Sequence, residues 1–259
     1  MKDRIILIET SGSATSVALA EDGKIVSSRH TEVPRSQASL TAPFVDEVLR
    51  ERGITVRDCD AVCVSKGPGS YTGLRVGSST AKGLCFGADL PLIAVGTLDT
   101  LVAQAFEDGL VPEGCKYIVP MIDARRMEVY SAVFSAEGEP LTEVSPVIVD
   151  GEYFRGYLAE GPVLFIGDGA LKCREVITGD GRRVEESLPR QGSIRLSDAL
   201  ARPGSEGANA FFADCNPRAE AMLGPAMKAL KEKRFEDTAY FEPFYLKQFV
   251  ATVSAKKLF

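Results

Sequence analysis

The sequence predicts an α/β fold made of two related halves, and three features carry that reading. A meander of three strand-like segments opens the chain, strands then alternate with helices, and a second meander of the same design begins near the middle. "RIILIE" (4–9) reads as a buried strand and "TSVALAE" (15–21) as its partner. "DG" (22–23) is a hairpin turn leading into "KIVSSRHTE" (24–32). Leu40, Phe44, Val45, Val48 and Leu49 then recur at helical spacing, with Gly53 as the stop. "DAVCVSK" (60–66) is a strand, a helix runs to about Phe86, and "PLIAV" (91–95) is a strand. "TLDTLVAQAFED" (97–108) is a helix capped by Thr97 or Asp99.

The second half repeats the opening. "KYIVPMIDARRMEVYSAVFSAEGEPLTEVSPVIV" (116–149) reads as strand, tight link, strand, glycine-containing turn and strand. An acidic residue closes the first strand in both halves, Glu9 and Asp123, and a hairpin glycine follows each at a similar interval, Gly23 and Gly138. These correspondences predict one lobe over 1–105 and another over 106–259. Within the second, 152–161 is helical, 162–170 a strand, 171–177 a short helix and 179–192 a loop. "EGANAFFADC" (206–215) and "RAEAMLGPAMKALKEKR" (218–234) are expected to be helical, the latter ended or kinked at Gly224-Pro225. The aromatic tail "AYFEPFYLKQF" (239–249) is expected to pack as an ordered edge, with the first lobe within its reach.

Composition excludes several functions. The 259 residues are 45% hydrophobic, enough for one large domain or two modest ones, and no window reaches the roughly 20 apolar residues of a membrane span. The formal net charge of −6 argues against a broad nucleic-acid face, and the basic runs "KALKEKR" (228–234) and "AKKLF" (255–259) read as a solvated helix face and a frayed tail. Six cysteines without a CxxC pair read as reduced core thiols. With charges leading straight into a strand at the N-terminus, they point to a cytoplasmic protein. The single histidine, His30, cannot form a two-histidine metal site and belongs to no nucleophilic triad motif, so no metal is expected; paired carboxylates remain possible on an acidic chain, but no pattern singles out a pair.

The most unusual stretch is "KGPGSYTGLRVG" (66–77). It lacks the Lys-Ser or Lys-Thr pair of a phosphate loop and the GxSxG of a nucleophile elbow. What remains is a strand-to-helix turn whose Ser70 or Thr72 accepts the helix's first N–H groups. Gly73, Gly77 and Ala81 then share one smooth face. A glycine inside a helix costs about 1 kcal/mol relative to alanine, so this face is expected to admit a close neighbour. That neighbour is either the helix of Phe44 and Val48 in the same lobe or a helix of another subunit.

Two meanders with acidic first-strand ends resemble the actin-like ATPase (ASKHA) architecture, which places Glu9 and Asp123 at degenerate nucleotide-cleft positions. "ETSGSATS" (9–16) lacks the glycine-rich turn of a phosphate cradle, and each carboxylate reads equally as a turn cap. More specifically, "ILIETSGSATSVAL", "SKGPGSYTGLRVGSSTAKGL", "MIDARRMEVYSAVF", "GDG" (167–169) and "EPFYLK" (242–247) resemble the TsaB (YeaZ) family in its order over most of the chain. Departures are Glu9 for an Asp, "RSQASLTAPF" (35–44) at the first helix, and Lys247 for an Arg.

The resemblance implies a noncatalytic subunit. Its partner is a TsaD-type subunit that transfers a threonylcarbamoyl group to N6 of a tRNA adenosine; a TsaE-type ATPase joins the assembly, and tRNA is met only indirectly. It implies no cofactor of the chain's own, leaving open ATP or ADP at a subunit interface. TsaD-type subunits hold a metal through first-helix histidines, and 39–52 has none. It also places the first-lobe helices in the subunit interface, with Leu40, Phe44, Val48, Tyr71, Gly73, Leu74, Gly77 and Ala81, on a surface that pairs two copies when no partner is present. The alternatives are an actin-like small-molecule kinase and a metal-dependent peptidase-like hydrolase.

Overall fold

The computed structural model describes residues 3–179 and 209–245; the expected loop over 180–192, Lys247 and the "AKKLF" end lie outside them. Strands β1 (Arg4–Glu9), β2 (Thr15–Glu21), β3 (Lys24–Thr31), β4 (Ala61–Ser65) and β5 (Leu92–Val95) form a sheet in the order β3-β2-β1-β4-β5. The second sheet contains β6 (Tyr117–Asp123), β7 (Glu128–Ser131), β8 (Phe134–Ser135), β9 (Ser145–Ile148), β10 (Val163–Ile166) and β11 (Ala210–Ala213). Its order is β9-β7-β6-β10-β11, with β8 also pairing β6. In both, the first strand pairs antiparallel with the second and parallel with a later one. Helices α1 (Gln37–Glu51), α2 (Tyr71–Ala88) and α3 (Thr97–Glu107) follow β3, β4 and β5. Helices α4 (Arg155–Glu160), α5 (Ala170–Thr178) and α6 (Leu223–Lys231) follow β9, β10 and β11. The halves thus share one topology, and the fold is actin-like.

Local chemistry fixes the boundaries. Asp22 and Gly23 both take positive φ, 50° and 74°, as a two-residue hairpin requires. Ser70 caps α2, its Oγ accepting from the Gly73 N–H at 3.2 Å. Three expectations are corrected. Gly96, not Thr97 or Asp99, is the N-cap of α3; the helix starts one residue earlier, and Asp99 folds its carboxylate back against the bare Gly96 backbone. Ala210–Ala213, expected to be helical, is a strand parallel to β10, because a short apolar run takes whichever form a free sheet edge offers. Pro225 neither ends nor kinks a helix. It falls in the first turn of α6, where its missing N–H had no helical partner, after a 3-10 turn over Ala219–Met222.

The covering layers cross between the lobes. α1 and α2 bury Val45, Val48, Leu49, Ala81 and Cys85 on one face of the first sheet. The other face is covered by Ala219, Met222, Ala226 and Ala229, from the chain that follows β11. In return, Leu98, Leu101, Val102 and Ala105 of α3 pack against Ile118, Ile122, Leu164 and Ile166 of the second sheet. A division near residue 105 therefore separates the two sheets but not the layers that cover them.

Gly73 and Gly77 of α2 serve the first lobe itself. A Cβ at Gly73 would lie 2.0 Å from the Thr10 carbonyl oxygen, and one at Gly77 would lie 2.3 Å from Thr10 Oγ1 and 3.3 Å from Val64 Cγ2. Thr10 Oγ1 in turn donates to the Gly73 carbonyl at 2.8 Å. Gly83, by contrast, faces open space. Gly73→Ala is expected to destabilise the protein by about 1–3 kcal/mol through overpacking. Gly83→Ala should stabilise it by about 0.5–1 kcal/mol through helix propensity. Urea unfolding of the two variants checks the contrast.

Candidate functional site

The turn after β1 is where an actin-like fold would approach a phosphate, and here it is covered on two sides. Toward α2, Ser11 O accepts from the Ser70 N–H at 2.7 Å, and a Cβ at Gly69 would lie 2.4 Å from that same oxygen. Toward the second lobe, a Cβ at Gly12 would lie 3.1 Å from Asn216 Oδ1 and 3.3 Å from Pro217 Cδ. Ser13 Oγ meets Asn216 Oδ1 at 2.9 Å, the Asn216 carbonyl accepts from Gln104 Nε2 at 3.2 Å, and the Ala219 N–H donates to Ser16 Oγ at 2.8 Å. The chain itself fills the space over the turn.

Glu9 lies beneath this cover, 1% exposed. Its Oε1 accepts from the Ser11 N–H at 2.6 Å, while Oε2 is buried without a hydrogen-bond partner. Burial raises its pKa, opposed by hydrogen bonds from Ser11 and Ser65. Asp123 is exposed instead. Its Oδ1 accepts from the Arg125 N–H at 2.7 Å and pairs with the Lys172 ammonium, and its own N–H donates to Asp168 Oδ1 at 2.8 Å. Burial is the main cause pushing Asp168 up to about 6, with Asp123 and Asp214 adding to it and Lys172 opposing it.

The two sequence-matched acids are thus not equivalent, one sealed and one open and already paired. The first-lobe residues do not fit a phosphate and its metal ion: the carboxyl has no open face and the turn has no bare backbone turned to solvent. Among the described residues no group of His, Cys, Asp and Glu could hold a metal ion, and His30 sits exposed on β3 opposite Ser16.

Of the residues that the family resemblance placed at a subunit interface, Leu40, Phe44 and Tyr71 are half-buried, whereas Val48, Gly73, Leu74, Gly77 and Ala81 are buried within their own lobe. Val48 and Ala81 share one apolar cluster, so the same-lobe helix contact exists at Ala81, while Gly73 and Gly77 meet Thr10. The outward face of α2 carries Thr72, Arg75, Ser79, Gly83 and Phe86, and Phe86 is 88% exposed. Sequence reasoning missed this face. Its signal was Gly83 and Gly87, a second pair at a four-residue interval, offset from Gly73 and Gly77. Between α1 and α2 an apolar groove of about 490 Å³ is floored by Val45, Leu49, Ile54 and Leu84.

The family model described as "TsaD: tRNA N6-adenosine threonylcarbamoyltransferase" matches residues 30–254. The chain is 29% identical over 251 residues to the tRNA threonylcarbamoyladenosine biosynthesis protein TsaB of Escherichia coli, covering 96% of each. It is 38% identical over 120 residues to a tRNA N6-adenosine threonylcarbamoyltransferase of Nitratidesulfovibrio vulgaris, covering 40% of this chain and 33% of that one. In fold it resembles YeaZ from Pseudomonas aeruginosa, with a TM-score of 0.69 at 22% identity, covering 94% of this chain and 100% of that one. Among the described residues no helix is long and apolar enough to cross a membrane.

The raised carboxyls have a stability consequence. A carboxyl whose folded pKa exceeds its unfolded value binds more protons in the native state, so its protonation stabilises the fold below the folded pKa and that stability is lost as pH rises through it. For Asp168 the window runs from about 4 to about 6, and Glu9 acts in the same direction. Asp168→Asn keeps an acceptor for the Asp123 N–H. It should therefore flatten the loss of stability between pH 4.5 and 7.5 by about 1–2 kcal/mol, a full two-unit shift discounted for partial exposure. Urea titrations of both proteins at the two pH values check it.

Proposed function

The chain belongs to the family described as TsaD: tRNA N6-adenosine threonylcarbamoyltransferase, and from that premise we propose that it acts as a noncatalytic, TsaB-type subunit in making threonylcarbamoyladenosine in tRNA. It pairs with a TsaD-type subunit that carries the chemistry, a TsaE-type ATPase joins the larger assembly, and tRNA is reached through the partner in the cytoplasm. The observation that carries this reading is the sealed first turn. With Glu9 buried under Ser11 and Gly12 covered by Asn216 and Pro217, the first lobe has no exposed carboxylate or bare turn with which to work on a phosphate. Near full-length likeness to TsaB, against likeness to a transferase over 40% of the chain, supports the same assignment.

The proposed partner surface is the outward side of α1 and α2. Leu40, Phe44 and Tyr71 are half-buried at its border and Phe86 stands out of it, while Val48, Gly73, Leu74, Gly77 and Ala81 support it from inside the lobe. Ser79 and Gly83 keep the outer face of α2 low enough for a second helix to lie close. The same surface would pair two copies of the chain in the absence of the partner. ATP or ADP, where it enters, is placed by this reading at the interface and not in the first-lobe cleft.

The test is co-purification of the chain with a TsaD-type subunit, with nucleoside analysis of tRNA from cells lacking their own TsaB and supplied with this chain. Recovery of threonylcarbamoyladenosine supports the reading. ATP turnover by the isolated chain that is lost in Glu9→Gln would favour the kinase alternative. Phe86→Asp should weaken partner association at least tenfold, about 1.4 kcal/mol or more, and leave the monomer's Tm nearly unchanged, because the side chain contacts little of its own lobe. Titration calorimetry and thermal unfolding of the variant read both quantities.

A further inference from the structure

The segment from Glu236 to Tyr245 runs across the first lobe although it follows the second lobe's last helix. The Glu236 N–H donates to Leu92 O at 2.8 Å, lying along the outer edge of β5. Asp237 then folds the chain: its carbonyl accepts from the Phe241 N–H at 2.7 Å and its Oδ1 from the Ala239 N–H at 2.8 Å. That turn aims the Ala239 and Phe241 carbonyls at α2, where the Lys82 ammonium donates to each at 3.1 Å. Phe241, 8% exposed, fills the apolar cluster under α1 and α2. The Phe244 N–H donates to Lys66 O at 2.7 Å, and Gly67 (φ 100°) lets the chain come close, since a Cβ there would lie 2.9 Å from the Phe244 carbonyl oxygen. Tyr245 lies against Tyr71, centroids 5.0 Å apart, with the Arg75 guanidinium 5.0 Å from the Tyr71 ring.

These anchors are spaced, two buried side chains at Phe241 and Pro243, a ring contact at Tyr245 and single hydrogen bonds, between exposed positions such as Tyr240, 84% exposed. Segments of that kind open at lower free energy than the sheets beneath them, and as one unit when the anchors depend on each other. Here they do, because the Asp237 turn sets both the Lys82 contacts and the entry of Phe241. We propose that Glu236–Tyr245 is a releasable strap, which docks and undocks as a unit while the first lobe stays folded. Undocking uncovers the β5 edge at Leu92, frees the Lys82 ammonium and strips Tyr245 from Tyr71, so the flank of α2 exists in two forms. The functional weight of this strap rests on the proposed partner surface, whereas its existence does not.

Native-state hydrogen exchange on the full chain alone, without any partner, tests it. The Glu236 and Phe244 amides, which donate to Leu92 and Lys66 of the first lobe, are expected to exchange at one common rate, faster than the amides of β1 and β4. In Phe241→Ala both should accelerate together by at least tenfold, with β1 and β4 unchanged. Lys82→Met, which removes two anchors from outside the core, should act in the same direction should Phe241→Ala fail to fold. If the two amides exchange only at the rate of β1 and β4, or if Lys82→Met accelerates one and leaves the other, there is no strap. Either result leaves the partner reading standing, which co-purification decides separately.

Discussion

The Thr10 carbonyl occupies the place where a Cβ at position 73 would be, and the rest of the first lobe follows from that contact. Because α2 has no side chain there, the helix settles directly onto the turn after β1, and Thr10 Oγ1 reaches the Gly73 carbonyl. The next residue, Ser11, receives the Ser70 N–H one residue before the helix begins, and Ser70 caps that helix. Turn and helix start are therefore a single hydrogen-bonded object. Replacing either glycine does not remove an attraction; it separates two backbones that several other bonds require to touch.

With that turn pinned from the α2 side, the second lobe can close over its other side. Asn216 and Pro217 reach Gly12 because the chain after β11 crosses to the first sheet, where Ala219 and Met222 enter its core. α3 makes the reciprocal crossing. Arg218 of that crossing segment also makes charge-assisted bonds to the C-terminal end of α3, to Asp108 at 2.6 Å and Glu107 at 3.1 Å. Each lobe thus completes the core of the other, and opening the seam would expose apolar surface from both.

Much of the architecture was legible from residues. The strands of the first lobe lie within a residue or two of their apolar runs, and the Glu9/Asp123 and Gly23/Gly138 correspondences pointed to the shared topology. What could not be read was anything set by distant contact. "AFFA" becomes a strand because β10 offers an edge, and Pro225 starts α6 because the preceding 3-10 turn leaves it in the first turn. The site was less legible still. Spacing identified a bare helix face at Gly73 and Gly77 and could not say that its neighbour is Thr10, 63 residues away from Gly73. It gave no weight to Gly83 and Phe86, because the second glycine pair, Gly83 and Gly87, does not say which face of the helix is turned to solvent.

The two acids show why a motif position underdetermines chemistry. Glu9 and Asp123 end equivalent strands of equivalent sheets, yet one is sealed with an unpartnered oxygen and the other stands in solvent beside Lys172. A carboxylate serves a metal ion, and through that ion a phosphate, only if it can ionise and be approached, and burial without a cation opposes both at once. The covering of Glu9 is done by groups far apart in sequence: Ser65 on β4, the α2 glycines that seat Thr10, and the crossing segment that brings Ala219 to Ser16. Sealing this carboxylate therefore needs no change in the acid's charge type, only closer packing around it. The same packing backs α1 and α2 with the apolar cluster of Val45, Val48, Ala81 and Cys85 on the first sheet.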